Sequence, residues 1–168
     1  MNTLRSIGLA LLLALLWTGC TPEPEPIDYG NDACAYCRMT VSDPRYGAEL
    51  VTETGKTHMF DSIECLAAHV QTQDDLAVHS LWVSDFRAPG TLLNLEDAFL
   101  VHSDELKSPM SLNIAAFKAG AASPAAVADS VNGTVLSWAE VRTLVRDEWL
   151  NGSGGPGAMQ GAAHHAHP

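Results

Sequence analysis

Residues 56–66 read Lys56-Thr57-His58-Met59-Phe60-Asp61-Ser62-Ile63-Glu64-Cys65-Leu66. The stretch passes from extended chain to helix. Residues 56–60 form the return arm of a hairpin. Its outgoing arm, residues 48–53, alternates roughly between apolar and polar side chains, and Thr54-Gly55 supplies the turn. Asp61-Ser62-Ile63-Glu64 matches a capping box with Asp61 in the cap position. It predicts a helix to about Gln71, with Ile63, Leu66, Ala67 and Val70 on one face. This is a ββα unit.

A second unit echoes the first. Residues 109–117 read as a strand that starts at a methionine, Met110. Asn132-Gly133 signals a turn, and Thr134-Val135-Leu136 a short strand. Ser137-Trp138-Ala139-Glu140 is another capping box. The helix behind it carries Trp138, Val141, Leu144, Val145 and Trp149 on one stripe. Between the units, residues 76–85 read as a strand, and residues 95–102 as a strand or a short helix. The expected fold is α+β, with one small ββα-type module over residues 31–80 and a related one over residues 81–150.

The ends are of a different kind. Residues 1–19 read as a lipoprotein signal peptide: one early positive charge, then an apolar run over residues 7–17 that is too short to span a bilayer. Gly19-Cys20 follows directly, so Cys20 is the expected lipidation site, and acyl chains there would anchor the protein firmly. Thr21, rather than Asp, follows the cysteine and leans the placement to the outer membrane, on the periplasmic side. Residues 20–30 alternate Pro and Glu and are expected to form a stiff, solvated tether. Residues 151–168 are rich in Gly and Ala and are expected to be disordered. His164, His165 and His167 near that end could capture metal loosely, whereas His79 and His102 lie in apolar surroundings and read as structural.

The formal net charge is −11, and Arg5 in the leader is one of the few positive charges. Nucleic acid is excluded as a partner, because binding it needs a basic footprint.

Four cysteines are present. With Cys20 acylated, Cys34, Cys37 and Cys65 remain, an odd number in an oxidising compartment. A Cys34–Cys37 disulfide would close a very small loop and leave Cys65 unexplained. A thioredoxin-type pair wants its first cysteine at a helix N-terminus, whereas Cys34-Ala35-Tyr36-Cys37 leads into a strand. A structural zinc site could take the three cysteines with His58 or His69, but only one C-x-x-C is present. Soft thiolate and thioether donors select Cu(I), and Met39 lies two residues beyond Cys37. Met59, Met110 and His58 are further donors near strand ends.

These residues resemble the NosL family in order and spacing. The matching stretches are Asp-Ala-Cys-Ala-Tyr-Cys-Arg-Met-Thr-Val (residues 32–41), His-Met-Phe-Asp-Ser-Ile-Glu-Cys-Leu (58–66), Asp-Ala-Phe-Leu-Val-His-Ser (97–103), Ser-Pro-Met-Ser (108–111) and Ala-Ala-Phe (115–117). The resemblance implies two related modules in a treble-clef-like arrangement. It also implies a lipoprotein that carries Cu(I) for assembly of nitrous oxide reductase, is not an enzyme, and docks on an ABC-type Nos membrane complex. Cys34, Cys37, Met39 and Met110 match the family motif, and Cys65 matches its Phe-Asp-Ser element. Arg38 and Ser111 depart from it, since glycine is common at both positions. Met39 and Met110, each opening a strand, are expected to face each other across the modules, with one thiolate from Cys34 or Cys37 completing a three-coordinate Cu(I) site. A thiol-disulfide accessory protein and a structural zinc lipoprotein are the competing functions.

Overall fold

The computed structural model describes residues 21–151. The expected signal peptide, Cys20 and the histidines at 164, 165 and 167 lie outside the described residues. Four strands, β1 (Ala48–Thr52), β2 (Thr57–Phe60), β3 (Val78–Ser84) and β4 (Leu92–Asn94), form an antiparallel sheet in the order β2-β1-β3-β4. Helix α1 (Ile63–Thr72) follows β2. A second antiparallel sheet holds β5 (Ala98–His102), β6 (Ile114–Lys118) and β7 (Thr134–Leu136) in the order β6-β5-β7. Helix α2 (Pro124–Ser130) precedes β7, and α3 (Trp138–Val145) follows it, running into a single π turn, Arg146–Leu150. The class is α+β, as expected.

The first hairpin forms, with Leu50 opposite His58 and Glu49 opposite Met59, one residue off the pairing that a two-residue Thr54-Gly55 turn implies. The stretch over 95–102 is both of its alternatives in turn: a 3-10 turn, Leu95–Asp97, leads into β5. The capping box at Ser137 closes in full.

Four expectations change. The cap of α1 is Ser62, not Asp61: the Ser62 side chain accepts from the Cys65 N–H at 3.3 Å. Asp61 instead accepts from the Ser42 N–H at 2.9 Å. The strand expected from Pro109 starts only at Ile114, because residues 108–113 form a turn in which Ser111 and Asn113 take φ of 68° and 55°. Helix α2 was not foreseen, although Ser123-Pro124 before alanines is a fair start signal. His79 is exposed rather than held in apolar surroundings.

The repeat also falls differently. Both sheets place the first strand of their unit in the middle, as β2-β1-β3 and β6-β5-β7, and in both a helix joins the second strand to the third. The echo is therefore β1-β2-α1-β3 with β5-β6-α2-β7, and α3 is an addition that packs on α1. Met39 precedes β1 whereas Met110 precedes β6, the counterpart of β2, so the two methionines do not open equivalent strands. The units share one main core: Leu50, Phe60 and Leu66 from the first join Leu100, Ile114 and Val141 from the second.

Strand β1 is buried along its whole length. Successive side chains point to opposite faces, so both faces are covered. The cover at Glu49 is the Pro/Glu segment, which does not stand free as a tether. The Glu25 N–H donates to Glu49 Oε1 at 2.9 Å, and Thr57 Oγ1 donates to the Glu25 carboxylate at 3.4 Å. Ile27 is buried, and the Tyr29 hydroxyl pairs with Ser84 Oγ at 2.8 Å. Gly47 makes room for this strap: a Cβ there would lie 2.6 Å from the Tyr29 hydroxyl.

Burial raises the Glu49 carboxyl from 4.5 to about 7, and the carboxylates of Glu25 and Asp32 push the same way. The folded chain thus holds a proton that the unfolded chain releases. The stability this contributes is present below the unfolded value and is lost as pH rises through about 7. Glu49→Gln should match the wild type in thermal melts near about pH 4.5 and exceed it increasingly toward about pH 8. A constant difference across that range would contradict the protonated, strap-covered carboxyl.

Candidate metal centre

The C-x-x-C segment is a tight knuckle held by its own backbone. The Cys34 N–H donates to the Met39 carbonyl at 2.8 Å, and the Arg38 N–H to the Cys34 carbonyl at 3.0 Å. A bridge between Ala33 and Thr40 closes its base. Arg38 takes a φ of 67°, a left-handed conformation that glycine adopts without cost and other residues do not. The Ala35 N–H donates to the Met59 carbonyl at 2.8 Å and docks the knuckle on the end of β2. Past that end, the first turn of α1 brings in Cys65, fixed by the Ser62 cap.

The Sγ atoms of Cys34, Cys37 and Cys65 lie within 4.8 Å of one another. All three are free thiols. Cys34 and Cys65 are fully buried and Cys37 is half-buried. Hydrogen bonds from the Cys37 and Cys65 thiols, with the Asp61 N–H, hold the Cys34 thiol far below its ordinary range. Hydrogen bonding to Cys34 pushes Cys37 and Cys65 up. The three sulfurs are thus hydrogen-bonded to one another, and a soft cation binding among them would displace protons.

Tyr36, between the two knuckle cysteines, stacks on Trp149 with ring centroids 6.4 Å apart and planes 8° apart. Trp149 sits in the π turn, a feature frequent at functional sites. Its place on a helical stripe marks it only as core in sequence. Tyr36 is similarly silent there, although its position inside the motif is a signal.

The other expected donors are placed as follows. Met39 is 56% exposed beside the knuckle. Met110 is half-buried in the loop before β6 and packs against the main core. His58 is not among the three clustered donors; its ring lies 5.5 Å from that of His69, which also packs on Phe60 at 5.1 Å. Burial lowers both imidazoles, so they are neutral near pH 7. Among the described residues, the three cysteines are the group of His, Cys, Asp and Glu side chains arranged to hold a metal ion.

Fold and site together define a small α+β domain with a preformed three-thiol cluster. The NosL family model matches residues 27–145, and the chain belongs to the NosL family. Among solved structures, the crystal structure of the copper chaperone NosL from Shewanella denitrificans is similar at 20% identity and a TM-score of 0.61, over 72% of this chain and 96% of that one. No curated protein matches the chain. Arg38 and Ser111 both hold the left-handed backbone that glycine favours.

The exposure gradient sets an order of reactivity. A small neutral alkylating agent should modify Cys37 first in the reduced, metal-free protein, and Cys34 and Cys65 only on unfolding, as read by peptide mass spectrometry. Equal rates at all three would contradict the buried placement.

Proposed function

We propose that this protein is a membrane-anchored, extracytoplasmic chaperone that binds Cu(I) and delivers it for assembly of nitrous oxide reductase. The observation that carries the proposal is the convergence of three thiols, two buried and one half-buried, with Met39 two residues beyond Cys37 in the sequence and exposed. Thiolate and thioether donors prefer Cu(I) to hard cations. A structural zinc site takes four ligands, and three clustered donors suit an ion of lower coordination number. Family membership supports the same assignment.

The cargo would sit between Cys34, Cys37 and Cys65. Transfer would run by stepwise ligand exchange from the exposed side, with the weakly held thioether of Met39 leaving first and Cys37 next. Met110 is a further thioether donor in this scheme. The recipients are the reductase apoprotein and an ABC-type Nos membrane complex. In this proposal a lipidated Cys20 attaches the protein, with the domain on the periplasmic side of the outer membrane.

No catalytic step is assigned. A thiol-disulfide enzyme needs an accessible low-pKa thiolate, whereas Cys34 and Cys65 are fully buried and hydrogen bonding to Cys34 pushes the half-buried Cys37 up. Cys34 and Cys65 are also packed into the main apolar core, which gives the metal-free domain a reason to stay folded, unlike domains that a structural zinc folds.

Anaerobic Cu(I) titration of residues 21–168 against a competing chelator tests this. Tight one-to-one binding is expected. Met39→Leu should weaken it ~10-fold, about 1.4 kcal/mol, and Cys34→Ser far more. Indifference to both substitutions, or unfolding on metal removal, would sink the proposal.

A further inference from the structure

Glu64 stands beside Cys65 in the first turn of α1 and is fully buried. A carboxyl removed from water needs partners. Beyond the helix end itself, its partners come from one distant piece of chain. Ser108 Oγ donates to Glu64 Oε1 at 2.5 Å, and the Ile114 N–H points to the same oxygen at 3.4 Å. Oε2 has no partner among the described residues.

Ser108 and Ile114 bracket the loop that carries Met110. Ser108 Oγ also accepts from the Asn113 N–H at 2.9 Å, and the Ser108 carbonyl accepts from the Ser111 N–H at 3.1 Å. One buried oxygen of α1 therefore anchors the serine that organises the loop from within. Two residues of that loop, Ser111 and Asn113, hold left-handed φ values of 68° and 55°, a conformation that persists in residues other than glycine only where the surroundings enforce it. The capping pattern in the sequence suggests a role for Glu64 at the helix end; the carboxyl lies against the Ser62 side chain and its own N–H there and also serves the loop.

We infer that Glu64 is a positioning residue that clamps the Met110 loop to the first turn of α1, and so fixes Met110 relative to Cys65. The inference rests on the proposed function only in taking Met110 as a copper donor; the clamp itself concerns the metal-free fold. Removing the carboxyl releases Ser108, the loop relaxes out of its left-handed turns, and Met110 loses its fixed place while the three thiols keep theirs. Glutamine retains an Oε1 acceptor of the same reach and keeps the clamp.

The test combines two readouts on wild type, Glu64→Ala, Glu64→Gln, Met110→Leu and the Glu64→Ala/Met110→Leu double variant. In the metal-free protein with 13C-methyl-labelled methionine, the Met110 resonance should shift or broaden in Glu64→Ala and return in Glu64→Gln, while that of Met59 stays put. In Cu(I) titration, Met110→Leu and Glu64→Ala should each weaken binding ~10-fold, and the double variant no more than either alone, the mark of coupled positions. Ser108→Ala, which cuts the same link from the loop side, serves if Glu64→Ala does not fold, and should move the same resonance. An unmoved Met110 methyl or additive losses overturn the clamp. A moved methyl with unchanged affinity in Met110→Leu upholds the clamp and overturns Met110 as a copper donor.

Discussion

The metal centre depends on one corner of the chain, where β2 ends at Phe60 and α1 begins at Ile63. Asp61 and Ser62 make the turn between them. The Met59 carbonyl accepts from Ala35, the Asp61 carboxylate accepts from Ser42, and the Asp61 N–H reaches the Cys34 sulfur. Each such bond contributes only about 0.5–1.5 kcal/mol, but together they seat the C-x-x-C knuckle on the corner. Ser62 then caps the helix whose first turn delivers Cys65. Two cysteines from a loop and one from a helix meet because a single turn holds both.

Preorganisation follows from where the cluster sits. Cys34 and Cys65 belong to the main core as much as to the site, so ordinary apolar packing holds them whether or not a metal is bound. Cys37 and Met39 face outward by degrees. In the proposed role this gradient would separate holding from releasing: the deep thiols would give affinity, and the outer donors would give a partner somewhere to attack. The Tyr36–Trp149 stack ties the knuckle to the π turn Arg146–Leu150, so that turn is also fastened to the site.

Much of this was legible in the sequence, and the misses have physical causes. The hairpin, the two main helices and the second capping box are local patterns, and they form as expected. The spacing of Cys34 and Cys37, with Cys65 in a helix start, points to the three thiols that the fold brings together. The cap moved from Asp61 to Ser62 because Asp61 found a better partner in Ser42, a tertiary contact that no local pattern encodes. The late start of β6 reflects left-handed Ser111 and Asn113 in positions that gave no glycine signal. The Pro/Glu segment reads as solvated by composition, but Ile27 and Tyr29 give it enough apolar surface to lie on β1 and bury Glu49. The pairing of units was misassigned because β5, the centre of its sheet, was ambiguous in isolation.

The central claim is that three thiols form the cargo site. X-ray absorption at the copper edge, on anaerobically loaded protein, tests it most directly. A first shell of sulfur alone that loses a sulfur scatterer in Cys65→Ser is the predicted result. A shell dominated by nitrogen or oxygen, or one unchanged by Cys65→Ser, would contradict it.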